Sequence, residues 1–160
     1  RSNIAILSAL DAAPTTLGST KPLVDIVRIT RDFQLQSQSG LVYSERVSEG
    51  RANRVFGADV RHVFGGMYYA QAQAVGSLTR AAGAQKRGGL WEAVVDRTGR
   101  GWGFHYNVLG VTPEFRTDNG FVARTGFVSV NTAEDETAPD RQGMDVVTLP
   151  DPESRHGARR

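Results

Sequence analysis

Four side chains of this sequence have the types and spacing for acid–base chemistry: Glu92, Asp96, His105 and Asn107. A carboxylate held against an imidazole can move a proton at a reacting atom, and a neighbouring amide can orient the pair. All four lie on the polar side of 90–112, LWEAVVDRTGRGWGFHYNVLGVT, which reads as two alternating segments folded into a β-hairpin about 97–100. Trp91, Ala93 and Val95 share one face of the first arm, and Trp102, Phe104 and Tyr106 the matching face of the second. An even-numbered turn sets Trp91 opposite Tyr106, Ala93 opposite Phe104 and Val95 opposite Trp102, and it brings Glu92 to His105. A three-residue turn ending at Gly99 would carry Glu92 to the apolar side beside Phe104, so the pattern favours the even turn.

The plainer reading of this convergence is structural, and the sequence favours it. Inward-facing polar residues of a β-barrel form hydrogen-bonded and ionic ladders along a wet lumen. Asp59 and Arg61 on one preceding segment and Gln71 and Gln73 on the next extend the polar side. The lumen-lining candidates are therefore Asp59, Arg61, Gln71, Gln73, Glu92, His105 and Asn107. The lipid-facing candidates are Trp91, Ala93, Val95, Trp102, Phe104 and Tyr106. No catalytic residue is assigned, and an enzyme is not expected. His62, His105 and His156 share no metal-ligand spacing and there is no cysteine, so neither a metal nor another cofactor is expected. The glycines of 99–103 superficially suggest a phosphate loop, but no helix follows to present its N-terminus. A Gly-x-Ser-x-Gly nucleophile elbow is absent too.

Composition sets the outer bounds. The 160 residues fit one domain, and 39% hydrophobic content is low enough that the apolar residues must be well patterned. Net charge is +2 with the two signs interspersed, which does not indicate a nucleic-acid partner. Zero cysteines fit a cytosolic protein or a bacterial envelope protein alike. Eighteen glycines are too many for a helical protein and fall mostly near turns or between strand-like runs.

The elements that must position the polar face follow in order. Strand-like runs lie at 2–10, 22–33, 37–46, 53–64 and 67–79, before the hairpin, and at 121–131 after it. The run 67–79 sets Tyr68, Ala70, Ala72 and Ala74 against Tyr69, Gln71 and Gln73, a period of two that no helix would give. The expected fold is all-β, an antiparallel up-and-down meander of about eight strands forming a closed or partly open β-barrel over 1–131. From Thr132 the chain turns to Glu, Asp, Pro, Gly and Arg, with only 144–149 capable of β-structure, so 132–160 reads as a disordered or loosely attached tail.

Connections and aromatics suggest the surroundings. Long connections at 11–21, 47–52, 80–89 and 113–120 alternate with short ones near 33–36, 65–66 and 97–100, which places all short turns on one rim, as in outer-membrane barrels. Phe33, Phe64, Tyr68 and Trp102 flank short turns, while Tyr43, Phe56, Trp91 and Phe121 lie beside long ones, a pattern of two girdles.

The segments NRVFGADVRHVFG, YYAQAQAVGS and WEAVVDRTGRGWGFHYNVLGVTPEFRTDNGFVARTG resemble the C-terminal barrel, a domain of unknown function, of bacterial outer-membrane proteins that begin with a carbohydrate-binding family-nine-like module. The resemblance covers roughly 22–131, with DRTGRGWGF and GFVARTG its most specific parts. It implies a bacterial outer-membrane location, lipid as a partner, a link to carbohydrate or polymer handling, and a chain that is a partial copy of a longer protein. It supplies no catalytic residues. The expected function is an outer-membrane barrel segment acting as pore, uptake component or surface scaffold. The alternative is a soluble β-barrel binding a small apolar or sugar ligand inside. The two readings differ in which face of the sheet is apolar.

Overall fold

In the computed structural model, nine strands follow one another across a single antiparallel sheet in chain order. They are β1 (Ser2–Leu10), β2 (Leu23–Gln34), β3 (Ser37–Ser48), β4 (Arg51–Phe64), β5 (Tyr68–Ala81), β6 (Ala84–Arg97), β7 (Trp102–Val111), β8 (Phe127–Glu136) and β9 (Gly143–Pro150). The structure describes residues 1–11, 21–34, 36–99, 101–136 and 143–150, with the backbone alone for 135–136 and 143–150. The all-β antiparallel meander expected from the sequence is therefore present. Every strand pairs with its neighbours in sequence, and among the described residues β1 and β9 do not pair with each other, so hydrogen bonds do not close the sheet.

The strands form where β-branched and aromatic residues alternate with polar ones, as in Val27 and Ile29 against Arg28 and Thr30. Turn chemistry then sets their ends. Gly65 and Gly66, both with positive φ, close the β4–β5 turn as expected. At the opposite rim, Ala82 and Gly83 both adopt positive φ, the two-residue geometry whose twist matches the flanking strands.

That turn corrects the expected alternation of long and short connections. The runs 47–52 and 80–89 are not long loops: β3 and β4 are joined by residues 49–50, and β5 and β6 by 82–83. Polar sequence at those places continues the ladders instead, as Arg80 pairs with Gln85 and Ser48 with Arg51. Backbone pairing needs no apolar side chain. The β7–β8 connection, 112–126, is longer than expected.

The central hairpin keeps its predicted faces but not its predicted register. Val95 lies opposite Tyr106, Ala93 opposite Val108 and Trp91 opposite Gly110, a displacement of four positions (106 meets 95, not 91). Asp96, not Glu92, faces His105. The cause lies in the next strand: the Thr98 amide donates to the Met67 carbonyl, extending the β5 ladder past Arg97, and the Arg97 guanidinium donates to the Trp102 carbonyl across the connection. Both bonds favour a wider turn over the tight one at Thr98-Gly99. An even displacement preserves the side of every residue.

The boundary expected between Asn131 and Thr132 falls inside β8, which pairs with β7 as far as Glu136 against Trp102. Residues 143–150, which include the expected β-capable 144–149, form β9 against β8. The remainder of the expected disordered tail, 137–142 and 151–160, lies outside the described residues.

Since the chain has no cysteine, the register can be read by engineered pairs. Directly opposed residues have Cα atoms about 4.5–5.5 Å apart, within disulfide range. Cysteines at 95 and 106 should oxidise to each other, whereas cysteines at 95 and 102, about 13 Å out of step, should not. Gel mobility with and without reductant distinguishes the two.

Candidate functional site on the sheltered face

The two sides of the sheet differ in exposure. On one, Ile4, Ile6, Ile29, Leu41, Phe56, Val60, Trp91, Val95, Tyr106 and Val128 are all exposed, together with Ala58, Ala72, Ala74 and Ala93. The ladders place them in one apolar band across β1 to β8. Alternation along β6 is sharp: Trp91 is 44% exposed and Val95 42%, but Val94 between them only 6%. Leu7 is an exception, exposed on the other side because β1 is an edge strand.

An aromatic row borders the band at the rim of the β4–β5 turn. Phe33 stacks on His62, His62 on Phe64 and Phe64 on Tyr68, with centroids 5.4–5.9 Å apart. The Arg97 guanidinium lies over both Tyr68 and Trp102, and Trp102, Phe104 and Tyr106 continue the row. At the opposite edge Tyr43 packs on Phe56, and two residues nearer the middle of the band, level with Ala58 and Ala74, the Trp91 ring lies so close over Gly110 that a β-carbon there would overlap it.

The other side carries paired polar groups. All seven lumen-lining candidates stand there by register: Asp59, Arg61, Gln71, Gln73, Glu92, His105 and Asn107. Glu92 accepts hydrogen bonds from Gln73 Nε2 and Asn107 Nδ2, each 2.8 Å. His105 Nδ1 lies 3.1 Å from Asp96 Oδ2, so the expected Glu92–His105 contact is replaced by one to Asp96, as the register requires. Arg28 makes a bidentate pair with Asp59 that spans β3 from β2 to β4. It passes directly over Gly40, where any side chain would collide with the guanidinium. Arg61 sits over the Tyr69 ring. Arg28, Asp59, Glu92, Asp96 and His105 thus each meet a hydrogen-bond partner on this face, which offsets the cost of sheltering them from water.

The residues that sequence reasoning missed belong to the 112–126 connection. Instead of extending from the rim, it folds down onto the sheltered face. Phe115 is buried, and its backbone occupies the space above Gly88, where a β-carbon would overlap the Phe115 nitrogen. The Arg116 amide donates to Ser77 Oγ. Asn53, 2% exposed, donates to Thr79 Oγ1 and to the Arg116 carbonyl and accepts from the Asp118 amide. Asn119 Nδ2 donates to Ser44 Oγ and the Glu45 carbonyl. Two signals in the sequence point to this docking: the apolar Phe115 set between the charged Glu114 and Arg116, and Gly88-Gly89 within a strand. The strand glycine leaves room for another backbone.

Asp118 ties the loop to the sheet through charge. Arg51 bonds both of its oxygens, at 2.9 and 3.1 Å, and Arg116 Nε donates to Oδ1 at 2.8 Å. Burial acts to raise its pKa, but the hydrogen bonds and charges of Arg51 and Arg116 together outweigh burial and hold the carboxyl below its ordinary value. Among the described residues, no cluster of His, Asp and Glu has the makings of a metal site. The chain matches no protein-family model, no curated protein and no solved structure.

Two outcomes follow for the loop. Asn53→Ala leaves the Thr79 hydroxyl, the Arg116 carbonyl and the Asp118 amide without this partner and should lower stability by about 2–3 kcal/mol. Limited trypsin digestion should then cut faster after Arg116 and Arg124. For Asp118, a folded pKa below the unfolded value of 3.8 gives a contribution that is complete above 3.8 and is lost as pH falls through the lower folded value. Hydrogen exchange at the Arg116 and Asp118 amides should accelerate in that acid window, and Asp118→Asn should remove the acid step.

Proposed function

We propose that this chain is an outer-membrane β-barrel segment of a bacterium, with its exposed apolar band against lipid and its polar side lining the interior, acting as a pore, uptake component or surface scaffold. The observation that carries the reading is the band itself, apolar and exposed on every described strand from β1 to β8. Water-exposed patches of this extent are unusual for soluble monomers. A soluble carrier for an apolar ligand would need the same residues on the sheltered side, where ion pairs and amides stand instead. Dimensions agree as well. Phe56 and Phe64, at the two edges on β4, are eight residues apart, about 26 Å along the strand at ~3.3 Å per residue. The apolar band of such barrels is about 25 Å tall, and a tilt of ~40° would shorten the projection to about 20 Å.

In this reading the sheet closes at its edges, because an open edge leaves backbone groups unsatisfied in hydrocarbon. With nine strands, β1 and β9 run in the same direction, so antiparallel closure takes an odd number of further strands. A link to carbohydrate or polymer handling rests on the resemblance of the segments above and belongs to the same proposal.

Ala93, mid-band and exposed, gives the test. Ala93→Arg places a charge near the bilayer midplane and should cost about 2–4 kcal/mol of folding free energy in vesicles. Glu92→Gln, on the sheltered side, should change folding far less. Reversible unfolding from lipid vesicles measures both; an Ala93→Arg variant as stable as the parent would exclude lipid contact and favour the soluble carrier.

A further inference from the structure

At the rim beside the β3–β4 turn, the docked loop leaves a cleft of about 390 Å³ lined by Arg46, Ser48, Arg51, Arg116, Thr117 and Asp118, with Pro22 as its apolar wall. This volume is within the range of small-molecule sites. Three guanidinium groups and two hydroxyls converge here, all hydrogen-bond donors toward a ligand. Their own acceptors are few: Arg46 pairs with Asp11, while Arg51 and Arg116 share the single carboxylate of Asp118. Two cations on one carboxylate leave an excess of one positive charge among the residues that line the cleft. Arg116 is the freest of the three, with 59% of its side chain exposed and one hydrogen bond to Asp118, through Nε. Its two terminal nitrogens remain available for a planar, bidentate acceptor.

We propose that this cleft binds an oxyanion-bearing solute, one with a phosphate, sulfate or carboxylate group, gripped by Arg116 with Arg46, Arg51 and the two hydroxyls around it. Arg46 and Arg51 stand by register on the sheltered side, opposite the apolar band. A lipid phosphate would have to leave the bilayer to reach them, so the source is a solute. The choice of a solute over a lipid rests on the membrane orientation proposed above; the cleft and its charge do not.

Isothermal titration of the folded protein in detergent micelles at low salt provides the test, with inorganic phosphate, glucuronate and glucose as probes. Saturable binding of phosphate and glucuronate but not glucose is expected. Arg116→Gln should weaken it about tenfold, Arg116→Lys, which keeps the charge but loses the fork, should fall between, and Arg87→Gln, on the opposite face, should leave it unchanged. Saturable binding absent from protein with native circular dichroism, or unaffected by both Arg116 variants, would overturn the proposal. Competition by phosphatidylglycerol micelles would overturn the solute assignment in favour of a lipid headgroup. Because these titrations need no vesicle insertion, their failure in a protein that inserts normally counts against the cleft alone, and failed insertion counts against the barrel reading alone.

Discussion

A slip of one residue in any ladder of this sheet would turn the displaced strand's side chains to the opposite face. Apart from a bulge between Asp32 and Gln34 at the end of the β2–β3 ladder, the eight ladders avoid this, and the two faces of the molecule depend on it. Ile4, Ile29, Leu41, Ala58, Ala74, Trp91 and Val128 can form one band only because each register carries the same side forward to the next strand. On the reverse side the same bookkeeping brings Gln73, Glu92 and Asn107 from three strands into one hydrogen-bonded group. The alternation is held by the contrast of the faces, since a strand out of step would bury ionic groups without their partners.

Small residues then decide what can lie over the polar side. Gly40 leaves space for the Arg28–Asp59 pair to bridge two strands, and Gly88 leaves space for the backbone at Phe115. The buried Asn53, with Ser77 and Thr79, supplies donors and acceptors that an apolar strand could not give to a descending loop. The result narrows the sheltered face at the rim and sets three arginines around a cleft. In the barrel proposed above, a loop folded inward in this way would restrict what passes, and its charge would select among solutes.

How much of this was legible in the sequence depended on whether the signal was local. Period-two alternation is local, so the face of each of the thirteen candidate residues could be read from types and spacing, and the structure places Glu92 and Trp91 on opposite sides as expected. Register along a hairpin is less local: the position of Tyr106 opposite Val95 depends on Thr98 bonding to Met67 of another strand. The loops expected at 47–52 and 80–89 are absent because polar and glycine-rich sequence looks like a break even where it is not one: Gly88 serves a distant loop, and Arg80 and Gln85 extend a ladder beyond the apolar band. Docking of 112–126 joins residues separated by more than sixty positions, such as Asn53 and Asp118, and no spacing rule reaches that far.

In the proposed membrane orientation the exposed apolar side meets lipid. Trp91 and Trp102 are the two tryptophans of the chain, and both stand on that side, Trp91 toward the middle of the band and Trp102 at the aromatic rim. Their fluorescence in vesicles of lipids brominated at chosen chain depths reports the contact directly. Lipid contact predicts quenching of both, stronger for Trp91 when the bromines lie deep in the chain, with little quenching by aqueous iodide. Emission indifferent to the brominated chains but quenched by iodide would contradict it.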